Sequence, residues 1–311
     1  MDQRLAESVL ASLPRRAVFP YFKDRYALQL LAYAAAEGQS LSDLRRGRFG
    51  PLLRKPEVRR LVGATRGVGV SWTLLDTHFP RHTQQYRITF GSWGSDEGSA
   101  WNQTTRPGHN LVVQLNFPAA HDRAYRKYIR PPDDYDPFAN EFHPIDKTGH
   151  HTLAWARIDL DFDTGEALIE EVQTDWIRDA ESARDAALAQ ILEPASDAPD
   201  WLWGSRCHAI EVFRYVEHVL SHHRKLWHEA VLAASLWVLR EQLGLRRIYM
   251  HTHDTGRQLK GIGGRLPPRS LYEHLPRAFC FERAIGLPKF LRNHRLRGSS
   301  GLWCQFWYLK A

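Results

Sequence analysis

The sequence predicts an α+β or α/β chain: a mixed, largely antiparallel central sheet flanked by helices, with a small basic helical lobe ahead of it. Three observations carry this. Apolar residues recur at helical spacing within residues 1–62, the period changes to two from about residue 83, and a broad apolar helix near residue 240 runs through a glycine into a strand. The 311 residues, 43% hydrophobic and 12% aromatic, are enough for a sizeable packed core and exclude a disordered or low-complexity chain. No run of apolar residues is long enough for a membrane span, and the start lacks the basic and apolar regions of a secretory signal, so a soluble, cytoplasmic protein is expected. Three widely spaced cysteines make neither a disulfide framework nor a zinc motif, and reduced thiols follow.

Taken in order, residues 26–33 show helical spacing that ends at Gly38, and Ser40-Leu41-Ser42-Asp43 opens another turn with Asp43 as its cap. The glycine-containing stretch 63–69 reads as a linker, which divides the chain into a basic helical lobe over 1–68 and a mixed domain over 69–311. Residues 85–90 and 111–117 alternate as strands, and the proline-rich acidic stretch 131–137 is an exposed loop. Two β runs, 152–160 and 167–176, flank turn chemistry at 161–166 and predict a hairpin. An amphipathic helix over 179–191 follows, then a long helical stretch to Leu243, whose two adjoining apolar stripes predict wide burial. Gly244 stands where a helix-ending glycine belongs, residues 246–252 read as a strand, a helix begins near Pro268, and residues 302–309 close the chain as an apolar strand.

Charge is segregated. Residues 1–80 carry 13 basic and 7 acidic side chains, residues 245–311 carry 13 and 3, and residues 131–200 carry 4 and 18, within a net charge of +7. Such a layout either closes on itself, acidic middle against basic ends, or presents a basic face to a polyanion. In the second case Arg45, Arg46, Arg48, Arg54, Lys55 and Arg59 of the lobe, with Arg292, Arg295 and Arg297, meet the phosphates of a nucleic acid, and tryptophans are available for stacking.

The second strand of the hairpin carries the most chemistry. Period two puts Glu171, Gln173 and Asp175 on the face of Ile169, and Glu170, Val172, Thr174 and Trp176 on the other. Three polar groups continuing an apolar face belong either to an edge strand turned to solvent or to a cleft. In the cleft reading Glu171 and Asp175 are catalytic carboxylates of a transferase-like enzyme, while Trp176 and Tyr272 shape the pocket. Gln173, Trp176 and Thr252 are then candidates to hold a small-molecule or carrier-bound substrate. Lys260 and Arg265 flank a glycine-rich loop that either cradles a phosphate or is a plain loop; its spacing is neither that of a P-loop nor that of a dinucleotide fingerprint. His251 and His253 share a face at a strand end and, with Glu171 or Asp175, would suit a divalent metal, which makes a metal-dependent hydrolase a third reading.

The hairpin with its Glu170-Glu171-Val172-Gln173-Thr174-Asp175-Trp176 run resembles a domain of phage and mobile-element polyvalent proteins that carries an EIQSDW motif after a similar hairpin. The order of later features over residues 85–285 is similar too: a Trp-led helix ending in Gly, a strand entering Thr, a Gly-Gly segment and the Tyr272 helix. This resemblance implies a shared domain of phage origin. The element order is also similar to that of GNAT-type acyltransferases. That resemblance implies a splayed sheet, acyl transfer to an amine, Glu171 or Asp175 as general base, Tyr272 as the acid that protonates a departing thiolate, and acyl-CoA as cofactor. The Gln/Arg-x-x-Gly-x-Gly/Ala loop of those enzymes is absent after Gln173, and Gly261, Gly263 and Gly264 come one strand later.

Overall fold

The computed structural model describes residues 1–64, 77–97, 102–132, 135–193, 207–262, 268–294, 296 and 305–311. Eight strands form one open sheet: β1 (Ala17–Tyr21), β2 (Gln84–Ser95), β3 (Gly108–Asn116), β4 (Thr152–Asp161), β5 (Glu166–Gln173), β6 (Arg247–His251), β7 (Glu282–Arg283) and β8 (Phe306–Lys310). Their order is β1-β2-β3-β4-β5-β6-β8-β7, antiparallel throughout except for the parallel pair β5 and β6. The expected mixed, largely antiparallel sheet flanked by helices is therefore present.

The helices are α1 (Gln3–Ser12), α2 (Arg25–Ala36), α3 (Leu41–Arg46), α4 (Pro56–Ala64), α5 (Ala119–Tyr128), α6 (Asp175–Leu192), α7 (Ala209–Arg214), α8 (Ser221–Trp237), α9 (His253–Leu259) and α10 (Leu275–Ala278). The core follows from α8, on which Ala230, Val231, Leu232, Ala233, Ala234 and Leu236 are all fully buried. It packs against β3, β4 and β5, and α2 packs against α8 in turn. The long helical stretch expected up to Leu243 is interrupted by wider turns at Tyr215–Val219 and Val238–Gln242. Gly244 ends it at φ +69°, where a side chain would be strained.

Residues 17–21 correct the expectation of helix throughout 1–62. They pair with β2 as the sheet's edge strand, where Pro20, which lacks an N–H to donate, is tolerated. Ser40, not Asp43, is the N-cap of α3; Asp43 closes a capping box by accepting the Ser40 N–H. The linker expected at 63–69 lies mostly outside the described residues, as do 302–304 of the closing strand.

The predicted hairpin is β4–β5, its turn tied by Asp161, which accepts the Thr164 N–H at 2.9 Å and hydroxyl at 2.8 Å. Its register holds one irregularity. Ile158 faces Ile169 but Arg157 faces Glu171, so Glu170 is an extra residue, a β-bulge. A one-residue slip moves everything beyond it to the opposite face. Glu171 and Gln173 thus share a side with Arg157 and Trp155, while Ile169 and Val172 stay in the core. Pairing of β5 with β6 stops at Ile169, and the Glu170 carbonyl, freed from the sheet, accepts the Lys260 ammonium at 3.0 Å.

Candidate functional site

The bulge and the divergence of β5 from β6 gather polar side chains on one face of the sheet, in a buried group and an accessible one. In the buried group Glu170 accepts the Thr105 N–H at 2.9 Å and hydroxyl at 2.8 Å and meets His251 Nε2 at 2.9 Å. Glu171 is bonded to Arg157 and lies 3.7 Å from Lys260 Nζ. Arg157 also donates to the Asn102 and Gln103 carbonyls and lies over the Trp93 and Trp155 rings. All these carboxylates and cations are buried, as is Tyr272.

Burial opposes the charge on Glu171, but Lys260 and Arg157 outweigh it and hold the carboxyl below its ordinary range. Glu170 is lowered against burial by the His251 hydrogen bond, Lys260 and the Thr105 N–H. Burial pulls His251 down, so the neutral ring donates from Nε2 to Glu170, and Nδ1 is left without a partner among the described residues. Burial likewise lowers Lys260, with Glu171 working the other way, and pushes the Tyr272 phenol far up. The Tyr272 hydroxyl has no partner among the described residues.

The accessible group centres on Asp175, which is the first residue of α6 and not the strand residue that period two predicted. The strand ends at Gln173 because the Thr174 hydroxyl caps the helix, accepting the Ile177 N–H at 3.2 Å. Asp175 faces His143 Nδ1 at 2.7 Å and accepts Gln173 Nε2 at 2.8 Å, Arg178 at 2.9 Å and Trp155 Nε1 at 3.3 Å. Burial raises its pKa, but His143, Gln173 and Arg178 bring it below the ordinary value. The His143 side chain is 31% exposed, and its contact with Asp175 places the proton on Nδ1 and leaves Nε2 as the acceptor. A cleft of about 1400 Å³ opens beside Asp175 and Trp155, walled by Arg126 of α5 and by residues 130–132, 135–142, 145–147 and 149–152, with His143 behind this wall against Asp175.

Of the residues singled out in the sequence, Gln173 and Asp175 are thus brought together, and Glu171, Lys260, Tyr272 and His251 are gathered in the buried group. Trp176 is a buried residue of the cleft lining, donating to the Tyr215 hydroxyl at 2.8 Å among Phe117, Tyr125 and Phe138. Thr252 caps α9 by accepting the Thr255 N–H. His253 is 3.2 Å from Asp254, whereas His251 turns to Glu170, because β6 ends between them; the shared face expected for the pair is not formed. Among the described residues no three His, Cys, Asp or Glu side chains gather as metal ligands.

Arg265, Arg295 and Arg297 lie outside the described residues. Arg45, Arg54, Arg59 and Arg292 are exposed, while Arg46 pairs with Asp43, Lys55 with Asp24, and Arg48 with Glu282. The sequence reading passed over His143, Arg157, Glu170 and Thr105. Arg157 was within reach of it, since Trp155 and Arg157 share one face of a predicted hairpin.

An acyl-CoA does not fit these residues. The start of α6, where an anion would sit, is filled by the Asp175 carboxylate, no glycine loop precedes it, and Lys260 closes the gap between β5 and β6. No helix among the described residues is long and apolar enough to cross a membrane. Comparison with family models, with curated proteins and with solved structures gives no match for this chain.

Proposed function

We propose that this chain is a transferase-like enzyme that acylates an amine, with His143 as the base. The observation that carries the reading is the His143–Asp175 pair: a buried carboxylate, itself held by Gln173, Trp155 and Arg178, orients an imidazole that solvent reaches. Of the two bases that the GNAT resemblance implies, Glu171 is spent on Arg157 and Lys260 and Asp175 on holding His143, which leaves that role to His143. In the step, His143 Nε2 takes a proton from the attacking amine, the N–C bond forms at the acyl carbonyl, and the C–S bond of a carrier-bound thioester breaks. The imidazolium returns the proton to the departing thiolate. The single parallel pair, the splay after Ile169 and the bulge at Glu170 agree with the splayed-sheet resemblance.

The test is amine acylation from simple acyl thioesters and aryl esters, followed by mass spectrometry. Amine-dependent product that falls about a hundredfold or more in His143→Gln at unchanged melting temperature supports the reading. Equal product from wild type and variant overturns it. A second reading is favoured by Arg45, Arg54 and Arg59, which are exposed with no carboxylate partner among the described residues. On it this is a protein of phage or mobile-element origin, as the first resemblance implies, that associates with nucleic acid, and salt-sensitive retention on a polyanion column that is lost in the triple Ala variant is its test.

A further inference from the structure

We infer that the acceptor amine is presented by a basic peptide segment bound in the cleft beside Asp175. The inference rests on the amine-acylation reading and names its substrate class. Size is the first argument: about 1400 Å³ exceeds the roughly 300–1,000 Å³ of ordinary small-molecule pockets.

The rim is the second. Phe142 is 88% exposed and Tyr135 52%, and both line the cleft. Phe142 is held outward by a turn in which its N–H donates to Asn140 Oδ1 at 3.1 Å and the His143 N–H donates to the Asn140 carbonyl at 3.0 Å. Rings fixed in water beside a groove suit the side chains of an extended chain.

Charge is the third. Among the described residues that line the cleft, five carboxylates face three Arg or Lys side chains; Arg130 is tied to Glu211, and Arg178 beside the lining pairs with both Asp175 and Asp179, which leaves five carboxylates against Arg126, Lys147 and Arg178. Glu141 has no cationic partner among the described residues. A field of this sign draws in lysine-rich chains and repels nucleic acid. Glu141 and Phe142 line the cleft, and His143, the next residue, meets the cleft residue Asp175, so one turn would hold an ammonium and pack an apolar side chain beside the base.

The experiment measures fluorescence anisotropy of a short labelled peptide with one Phe among several Lys, on the full chain. Saturable, salt-weakened binding is expected, loosened about fivefold to tenfold by Phe142→Ala and further by Glu141→Gln, both at exposed positions that leave the fold intact. An acidic peptide binding equally well, an unchanged affinity in the double variant, or lysine amide competing as tightly as the peptide each overturns the inference. Tight peptide binding without any acylation of its lysines would sink the transfer reading and leave the peptide site standing.

Discussion

Acid should destabilise this protein from about pH 6.5 downward, because two histidines are buried in an aromatic cluster that cannot take up their charge. His121 is stacked on Phe117 at 3.5 Å and bonded to the Tyr215 hydroxyl. His223 sits edge-on to Phe117 and meets the Tyr86 hydroxyl at 2.9 Å. Burial lowers His121 to about 4, outweighing Asp122, and lowers His223 to about 3, with His121 adding to the effect. The unfolded chain binds protons that the folded chain refuses, so this stability is complete above about pH 6.5 and is lost as the pH falls toward 4. At pH 5 each unfolded imidazole favours its protonated form about thirtyfold, which is about 2 kcal/mol per histidine and about 4 kcal/mol for the pair. Urea unfolding followed by tryptophan fluorescence at pH 8 and pH 5 reads the difference. His223→Gln keeps a partner for Tyr86 but cannot titrate, and should remove about 2 kcal/mol of the pH dependence, to which His228, lowered by burial to about 4, and the buried His251 also contribute. A variant as acid-sensitive as the wild type would refute the reasoning.

Other expectations concern the site and its supports. Lys260→Met should destabilise by about 3 kcal/mol, since Glu171 then stays buried with one cation fewer, and a melting curve shifted by less than a degree would mean that water replaces the ammonium. Thr174→Ala removes the cap of α6 and should cost about 1–2 kcal/mol in urea unfolding. Gly165→Ala, at φ +64° and with a Cβ 3.2 Å from the Arg247 guanidinium, should cost about 1 kcal/mol; an unchanged unfolding midpoint would show that the turn adapts.

The hairpin was legible because period two and turn residues are local signals, and both its strands and the Asp161 turn follow from them. β1 was hidden by its brevity and by Pro20, which argues against a strand everywhere except at a sheet edge, and edges are decided by the rest of the chain. The bulge at Glu170 had no signature, yet it reverses the faces: counting back from the turn sets Arg157 opposite Glu170, whereas the structure sets it opposite Glu171. His143 lies in an irregular stretch, where neither period applies and only a tertiary contact with Asp175 gives it meaning.

The division of the polar face bears directly on which group can act. Glu171 was conspicuous in the sequence as a carboxylate on what looked like an apolar face, but a buried carboxylate held by Arg157 and Lys260 gives up those contacts if it takes a proton. A base needs the opposite arrangement: access to its substrate and a support that gains from the charge it acquires. His143 has both, since its ring is partly exposed and Asp175 stabilises the imidazolium formed on proton uptake. Swapping the two roles makes distinct variants diagnostic. Glu171→Gln should lower stability, by leaving Arg157 and Lys260 unbalanced, whereas His143→Gln should lower acyl transfer and leave the melting temperature in place. The reverse pattern, a stable Glu171→Gln without activity beside a fully active His143→Gln, would return the base to the strand.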